Sequence, residues 1–289
     1  MKALVTGNEG YIGGNFIKEW EKRGHTWVGY DNKSNWNFDL SLGIKELHLD
    51  HQNNPIDVVV HFAAIPRVAF SVKHPTVVMR NNIVSTTNVL NWARNNNVPV
   101  IYSSSSSVVG NGDGPASPYA LSKYVGELET LLYYRLYGLK TVALRYFNVY
   151  SYDQQADSEY ATVVCNWKKY LSENKRPYIT GDGEQRRDMT HVEDIVSANI
   201  FCAENIDKED LWGNWYDIGS GENISLNELK NIVLQYFPNQ EFDYVEPRPG
   251  DVMYTKADID KFNNHGWKSK VKLKDGLNAI FKTLKEEIG

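Results

Sequence analysis

Residues 2–31 read KALVTGNEGYIGGNFIKEWEKRGHTWVGYD, and this stretch decides the fold. The apolar run Lys2 to Thr6 reads as a short strand, and Gly7, Gly10 and Gly13 follow it. An amphipathic helix then runs to about Arg23. Trp27 to Tyr30 makes a second strand with Asp31 at its C-terminal end, 18 positions after Gly13. Glycines at these places permit a tight turn and let a pyrophosphate approach the backbone amides at a helix N-terminus. The acid accepts hydrogen bonds from the adenosine ribose and repels a 2′-phosphate, which favours NAD over NADP. Lys33 nearby tolerates a phosphate and keeps NADP open. The plainer alternative is a glycine turn without a ligand; the strand, turn, helix, strand, acid context argues against it.

The same alternation continues outward. Asn37 to Leu40 reads as a short strand and Leu42 to Gln52 as a helix. Asp57 to Phe62 is a continuous apolar strand of the kind buried on both faces, and Ala63-Ala64 lets backbone approach a ligand. His61 on this strand is expected to be a hydrogen-bonded core histidine rather than a catalytic one. Thr76 to Asn96 reads as a helix, Val98 to Tyr102 and Thr141 to Arg145 as strands, with a helix between them starting near Ser117-Pro118. This is the signature of an α/β, Rossmann-type doubly wound parallel sheet. After Asn148 the elements shorten. Helices are expected at Ala161 to Leu171, Glu193 to Glu204, Ser225 to Tyr236 and Leu273 to Glu287, with short strands at Pro177 to Thr180, Trp215 to Ile218 and Phe242 to Val245. The expected division is a dinucleotide-binding domain over 1–148 and a smaller, partly interleaved substrate lobe over 149–289, with parts of 181–220 returning to the first.

At 289 residues the chain is long enough for a sizeable core, and its net charge of −5 argues against a dedicated nucleic-acid binder. No apolar run is long enough for a membrane span. The first strand begins at Lys2, from which no signal or transit peptide is expected. Cys165 and Cys202 sit in apolar helical contexts and read as buried thiols without a disulfide framework. A cytoplasmic protein without a metal site is expected.

The chemistry is expected in Ile101 to Lys123, IYSSSSSVVGNGDGPASPYALSK. A strand ends in a serine run, a loop follows, and a helix starts near Ser117-Pro118. On that helix Tyr119 and Lys123 are four apart and share a face. A lysine held near a phenol favours the phenolate and lowers its pKa from about 10 toward neutrality, which makes a base for a sugar or alcohol hydroxyl. With 18 tyrosines in the chain, about one Tyr-x-x-x-Lys arises by chance, so the pair takes its weight from its surroundings.

Those surroundings resemble the extended short-chain dehydrogenase/reductase family, in its nucleotide-sugar epimerase/dehydratase group. Residues 6–13 (TGNEGYIG) match its glycine fingerprint, Asp31-Asn32 its ribose-binding pair, and Asp39-Leu40 its adenine-contacting pair. His61 to Ala64, Asn82, Arg145 to Asn148, Gly181 to Gly183 with Arg187-Asp188, and Arg248 to Asp251 match further segments in order. The resemblance implies a catalytic set of Ser105, Tyr119 and Lys123, with Ser104 and Ser106 as close rivals of Ser105. It implies NAD contacts from Gly7, Gly10, Tyr11, Ile12, Gly13, Asp31, Asn32, Asp39, Leu40, Phe62, Ala63, Ala64, Asn82, Ser103, Tyr119, Lys123 and Phe147. Substrate contacts are implied for Ser105, Asn148, Arg187, Arg248, Asp251 and Thr255.

In the dehydratases of this group an acid stands one or two positions after the catalytic serine. Here Ser106 and Ser107 follow, so the implied reaction is oxidation at carbon 4 of a UDP-hexose or UDP-N-acetylhexosamine and return of the hydride to the other face. Thr255, small where an aromatic can stand, implies room for an N-acetyl group. A reductase of a keto-sugar and a catalytically silent NAD-binding regulator are the alternatives. The helices at 76–96 and 117–137 imply a homodimer. The sequence departs from the group at Val109 (usually tyrosine), in the short loop Asn111 to Pro118, and at Ser151 (often glycine).

Overall fold

The structure, a computed structural model of the chain, is described for residues 1–33, 39–43, 54–154, 162–247 and 252–288. Along the first half run β1 (Lys2–Thr6), α1 (Tyr11–Lys22), β2 (Thr26–Tyr30), β3 (Val58–His61), α2 (Val68–Lys73), α3 (Pro75–Asn96), β4 (Val100–Ser105), α4 (Pro118–Tyr137) and β5 (Thr141–Tyr146). There follow β6 (Val149–Tyr150), α5 (Val163–Ser172), β7 (Tyr178–Thr180), β8 (Arg186–Arg187), β9 (Thr190–His191), α6 (Val192–Glu204), β10 (Asn214–Ile218), β11 (Ile224–Ser225), α7 (Leu226–Tyr236), β12 (Asp243–Val245), α8 (Asp260–Asn263) and α9 (Leu273–Ile288).

Six parallel strands form one sheet in the order β2-β1-β3-β4-β5-β10. The strand order reverses between β1 and β3, and a crevice opens beyond the C-terminal ends of the strands at such a point. Alternation along each strand feeds two cores. Ala3, Val5, Val58 and Val60 face α1 and α6. Leu4 and Val59 face α3 with Val89, Leu90 and Ala93. Both faces are covered, which is why the strands read as unbroken apolar runs. On α1 the residues Gly13, Phe16, Ile17 and Trp20 are buried, the i, i+3, i+4, i+7 pattern of a helix laid on a sheet. Each of the large side chains among them contributes roughly 1.5–3 kcal/mol by burial.

A third core lies outside the sheet, built by Trp167 and Leu171 of α5, Leu229 and Val233 of α7, and Leu277, Phe281 and Leu284 of α9. The chain crosses back from it: β10 pairs with β5, and Ile195, Val196 and Cys202 of α6 pack in the core beneath β1.

Several sequence expectations need correction. The short strand over 37–40 is not formed at its described end: Asp39 caps a 3-10 turn, Leu40–Leu42, by accepting from the Ser41 amide at 2.9 Å. Asn37 and Phe38, and residues 44–52 of the expected helix, lie outside the described residues. The helix α2 was not anticipated. His74 separates it from α3 with φ −131° and ψ 59°, because the residue before a proline is forced out of the helical region. α5 begins at Val163 rather than Ala161, which itself lies outside the described residues.

Candidate active site

A cleft of about 760 Å³ runs along the C-terminal ends of β1, β2, β3 and β4. At one end is the turn between β1 and α1. Gly7 has φ +70°, and a Cβ there would lie 2.7 Å from the Ala63 amide nitrogen. At Gly13 a Cβ would lie 2.2 Å from the Gly7 carbonyl oxygen. Both positions demand glycine, the first by conformation and contact, the second by contact alone. The closeness brings Ala63, in the segment after β3, against the turn that leads into α1. Gly10 is the N-cap and contributes no side-chain cap, so the first amides of α1 face the cleft. An anion fits this place on charge and shape. At the end of β2, Asp31 accepts from the Glu9 amide at 3.0 Å and the Lys33 amide at 2.9 Å, which fixes its carboxylate on the cleft wall beside Asn32. Asp39 and Leu40 line the same end. The cradle therefore fits a dinucleotide on observations of shape, amide direction and acid placement.

Deeper in the cleft, β4 and α4 bring the serine run to the Tyr-x-x-x-Lys pair. Ser117 caps α4 by accepting from the Ala120 amide at 3.1 Å, and Pro118 follows as the first helical residue. Tyr119 is thereby held in the first turn. Its phenol lies beside the Ser105 hydroxyl on the cleft wall. Ser105 also accepts from the Ser107 amide at 3.2 Å and the Ser107 hydroxyl at 2.9 Å. Ser104 points elsewhere and donates to the buried Glu127 at 2.8 Å. Ser104 and Ser106 also line the cleft, but it is the Ser105 hydroxyl that acts on the Tyr119 phenol. Lys123, 4% exposed, donates from Nζ to the Ser103 carbonyl at 2.8 Å.

Electrostatics correct one expectation. Burial raises the Tyr119 phenol above its ordinary value, with the neighbouring Ser105 hydroxyl pulling it down. Burial also lowers the Lys123 ammonium to about 7. Desolvation is the larger cause for the phenol and the cause for the ammonium, and Ser105 rather than Lys123 is what opposes it at the phenol.

Three further residues stand apart from the cleft's described lining. Asn82 is buried beneath it; its Oδ1 accepts from the Ile65 amide at 2.8 Å and its Nδ2 donates to the Ile65 carbonyl at 3.3 Å and to Ser122 at 3.0 Å. These bonds support the wall formed by 63–66. Phe147 is buried, and its neighbours Tyr146 and Asn148 face the cleft instead. His61 is a core residue, bonded to Thr6 at 2.6 Å and Thr86 at 3.1 Å, with burial lowering its pKa to about 3.

A smaller cavity of about 150 Å³ adjoins the cleft, and Asn148 and Thr162 line both. Asn148 has φ +30°, and its Nδ2 donates to the Asp188 carbonyl at 2.6 Å. Arg187, Tyr178 and Trp167 line the smaller cavity. Arg248 and Asp251 lie outside the described residues. Thr255 lines neither cavity as described. Its hydroxyl accepts from the Asp188 amide at 3.1 Å. Asp188 is structural: buried, it accepts from Ser220, Gly221 and Ala257 and ties three segments together. Ser151 is bonded to the Tyr11 hydroxyl, which joins the start of α1 to the segment after β6. Pro66, Arg67, Asn81 and Ser85 also line the cleft. Their place directly after His61 to Ala64, or one helix face from Asn82, was the available signal for them.

Comparison with known proteins agrees with this geometry. Residues 3–219 match the NAD dependent epimerase/dehydratase family. A Methanocaldococcus jannaschii protein, provisionally named a UDP-glucose 4-epimerase, is 32% identical over 306 residues covering 98% of each chain. The UDP-N-acetylglucosamine 4-epimerase of Methanobrevibacter ruminantium M1, solved in complex with UDP-N-acetylmuramic acid, superposes with a TM-score of 0.87 at 29% identity, over 99% of this chain and 98% of that one. The UDP-glucose 4-epimerase of Thermotoga maritima, solved with UDP-glucose, gives 0.88 at 27% identity over the full length of both. The chain belongs to the NAD dependent epimerase/dehydratase family.

Proposed function

We propose that the protein is an NAD-dependent 4-epimerase of a nucleotide sugar, acting on a UDP-hexose or UDP-N-acetylhexosamine. The observation that carries this reading is that Ser105, Tyr119 and Lys123 line one cleft, which has the dinucleotide cradle at one end and adjoins the Asn148 cavity. The matched relatives named for UDP-glucose and UDP-N-acetylglucosamine support a UDP-sugar.

NAD, when bound, supplies the acceptor and donor of the carbon-4 hydride. Gly7, Gly10, Tyr11, Ile12 and Gly13 would hold its pyrophosphate, Asp31 and Asn32 its adenosine ribose, and Lys123 its nicotinamide ribose. Tyr119 takes the proton from the sugar's 4-hydroxyl and gives it back. Ser105 hydrogen-bonds the same oxygen and steadies it as a ketone forms. Asn148 orients the sugar, and Arg187 and Arg248 clamp the diphosphate, a task suited to the guanidinium fork. The acids on the cleft's described lining, Glu9, Asp31 and Asp39, belong to the cofactor end. No carboxylate there accompanies Ser105, so eliminating water across carbons 5 and 6 lacks an acid, which favours epimerisation over dehydration. Residues 1–148 with parts of 181–220 would serve NAD, and 149–289 mainly the nucleotide sugar.

Proton NMR of UDP-, GDP- and dTDP-sugars incubated with the purified protein and no added cofactor tests the reading. A carbon-4 epimer is the expected product. Silence across the panel, with and without added NAD, overturns it.

The homodimer is also proposed, through α3 and α4. Leu128, Leu132 and Leu136 stand one helical turn apart on α4 at 44%, 41% and 61% exposure, and Val77 on α3 is exposed as well. Among the described residues no helix is long and apolar enough to cross a membrane. A cytoplasmic setting is proposed from the charge, and from Cys165 and Cys202 being buried.

A further inference from the structure

The groups assigned to the reaction sit on two separate elements: Ser103 and Ser105 at the end of β4, and Tyr119 and Lys123 at the start of α4. What holds one element against the other lies beneath the cleft. Glu127 continues the Tyr119–Lys123 face of α4, one turn further along. It is 1% exposed. Its Oε2 accepts from the Ser104 hydroxyl at 2.8 Å and from Arg145 Nε at 2.9 Å, and its Oε1 accepts from Arg145 Nη2 at 2.6 Å. Ser104 and Arg145 are register partners on β4 and β5, and Arg145 and Asp217 are register partners on β5 and β10. The Arg145 guanidinium stacks 3.6 Å from the Trp215 ring centroid, and its Nη1 stands 3.8 Å from Asp217. The helix also lies unusually close to the strand. A Cβ on Gly126 would be 2.3 Å from the Tyr102 hydroxyl oxygen.

One helix carboxylate is thus bound by two adjacent strands, at the level of the serine next to Ser105. A buried ion pair is a poor source of net stability, since desolvation opposes the Coulombic gain. A two-pronged arginine–carboxylate contact is directional, however, and defines where its two carriers stand. A rigid second layer of this kind can set the geometry of reacting groups it never touches.

We propose that Glu127 and Arg145, joined to β4 by Ser104, are positioning residues for the reaction: they hold the Ser105 hydroxyl in register with the Tyr119 phenol. This rests on the epimerase reading above, in which those two groups share the sugar oxygen.

Ser104→Ala is the discriminating variant. It removes the tie to β4 while both Arg145 bonds to Glu127 remain, so no buried charge loses its partner. With the sugar that the wild-type protein epimerises, kcat is expected to fall about ten-fold, as small misplacement of reacting groups does. KM, the amount of bound NAD and the melting temperature should stay near wild type. Ser104→Thr, which keeps the hydroxyl, should recover most of kcat. Glu127→Gln should lower kcat further while NAD remains bound, and circular dichroism reports whether that variant is folded. Unchanged kcat in Ser104→Ala overturns the proposal. So does a loss of kcat that comes with equal losses of NAD and stability and is not recovered by Ser104→Thr. A wild-type protein silent on every sugar overturns the epimerase reading and, with it, this one; a wild-type protein that turns over separates the two failures.

Discussion

The Ser105 hydroxyl, at the end of β4, lies beside the Tyr119 phenol, in the first turn of α4, on the wall of one cleft. A single oxygen of a bound sugar placed between them would meet both. Tyr119→Phe is expected to reduce epimerisation by about 10²–10⁴-fold, the range for losing a positioned acid–base group. Ser105→Ala should lose about 10²-fold or more, as removal of one donor to a developing oxyanion does. Both variants should still copurify with NAD. NMR of the sugar product and extraction of the nucleotide check the two halves; full activity in Tyr119→Phe would remove the proposed base.

Glycine at 13 answers to contact rather than to conformation. A Cβ there would meet the Gly7 carbonyl oxygen at 2.2 Å, backbone against backbone, with no side chain free to swing away. Gly13→Ala should therefore empty the protein of NAD and lower its melting temperature. Gly24→Ala is the control. Gly24 has φ +77° but open space around it, so only conformational strain of about 1 kcal/mol is expected, with NAD retained. Retention of NAD by both variants would refute the cradle assignment.

Asn82 supports the wall from below. Its amide binds both the amide and the carbonyl of Ile65, in a buried place. Asn82→Ala should cost about 1–3 kcal/mol for the groups left unpaired, and weaken NAD binding by loosening 63–66 without contacting NAD. Denaturant melts and NAD titration measure the two effects. A stability loss with unchanged affinity would confine Asn82 to the fold.

His61 links stability to acid. Its pKa is about 3 in the folded state against 6.5 for the unfolded chain. Between these values the unfolded chain binds the extra proton, so folding stability falls as the pH drops below about 6.5, with a slope near 1.4 kcal/mol per pH unit from this group. Its contribution is whole above pH 6.5 and lost toward pH 3. Urea melts of wild type and His61→Gln at pH 7, 6 and 5 should show the steeper slope in wild type; parallel slopes would count against it.

The exposed leucines of α4 test the assembly. Leu128→Glu with Leu132→Glu should give a monomer by light scattering at micromolar concentration while the fold persists, because neither side chain is in the core. A wild-type protein already monomeric there would exclude the dimer.

Much of this was legible in the linear order of residues. The spacing from Gly7 to Asp31 and the apolar runs at Val58–His61 and Val100–Tyr102 determined a parallel sheet with its crevice, because backbone sterics and burial on both faces leave few sequences that read this way. Tyr119 and Lys123 were legible as a pair because four residues make one helical turn. That Asn82 and Phe147 are buried behind the described lining was not legible, since position along a chain does not say whether a side chain faces a cleft or supports it. The break at His74 could have been read from Pro75, as the restriction before proline is local.

The sequence by itself thus determined the class of sheet, the end of it that receives a dinucleotide, and the residue types available for proton transfer. Tertiary structure alone decided which serine lies beside Tyr119, that Ser104 instead meets Glu127, and that burial raises the phenol's pKa. Local rules act over a few residues and survive in any context. Hydrogen bonds between β4, α4 and β5, and the desolvation around them, exist only once distant segments have packed.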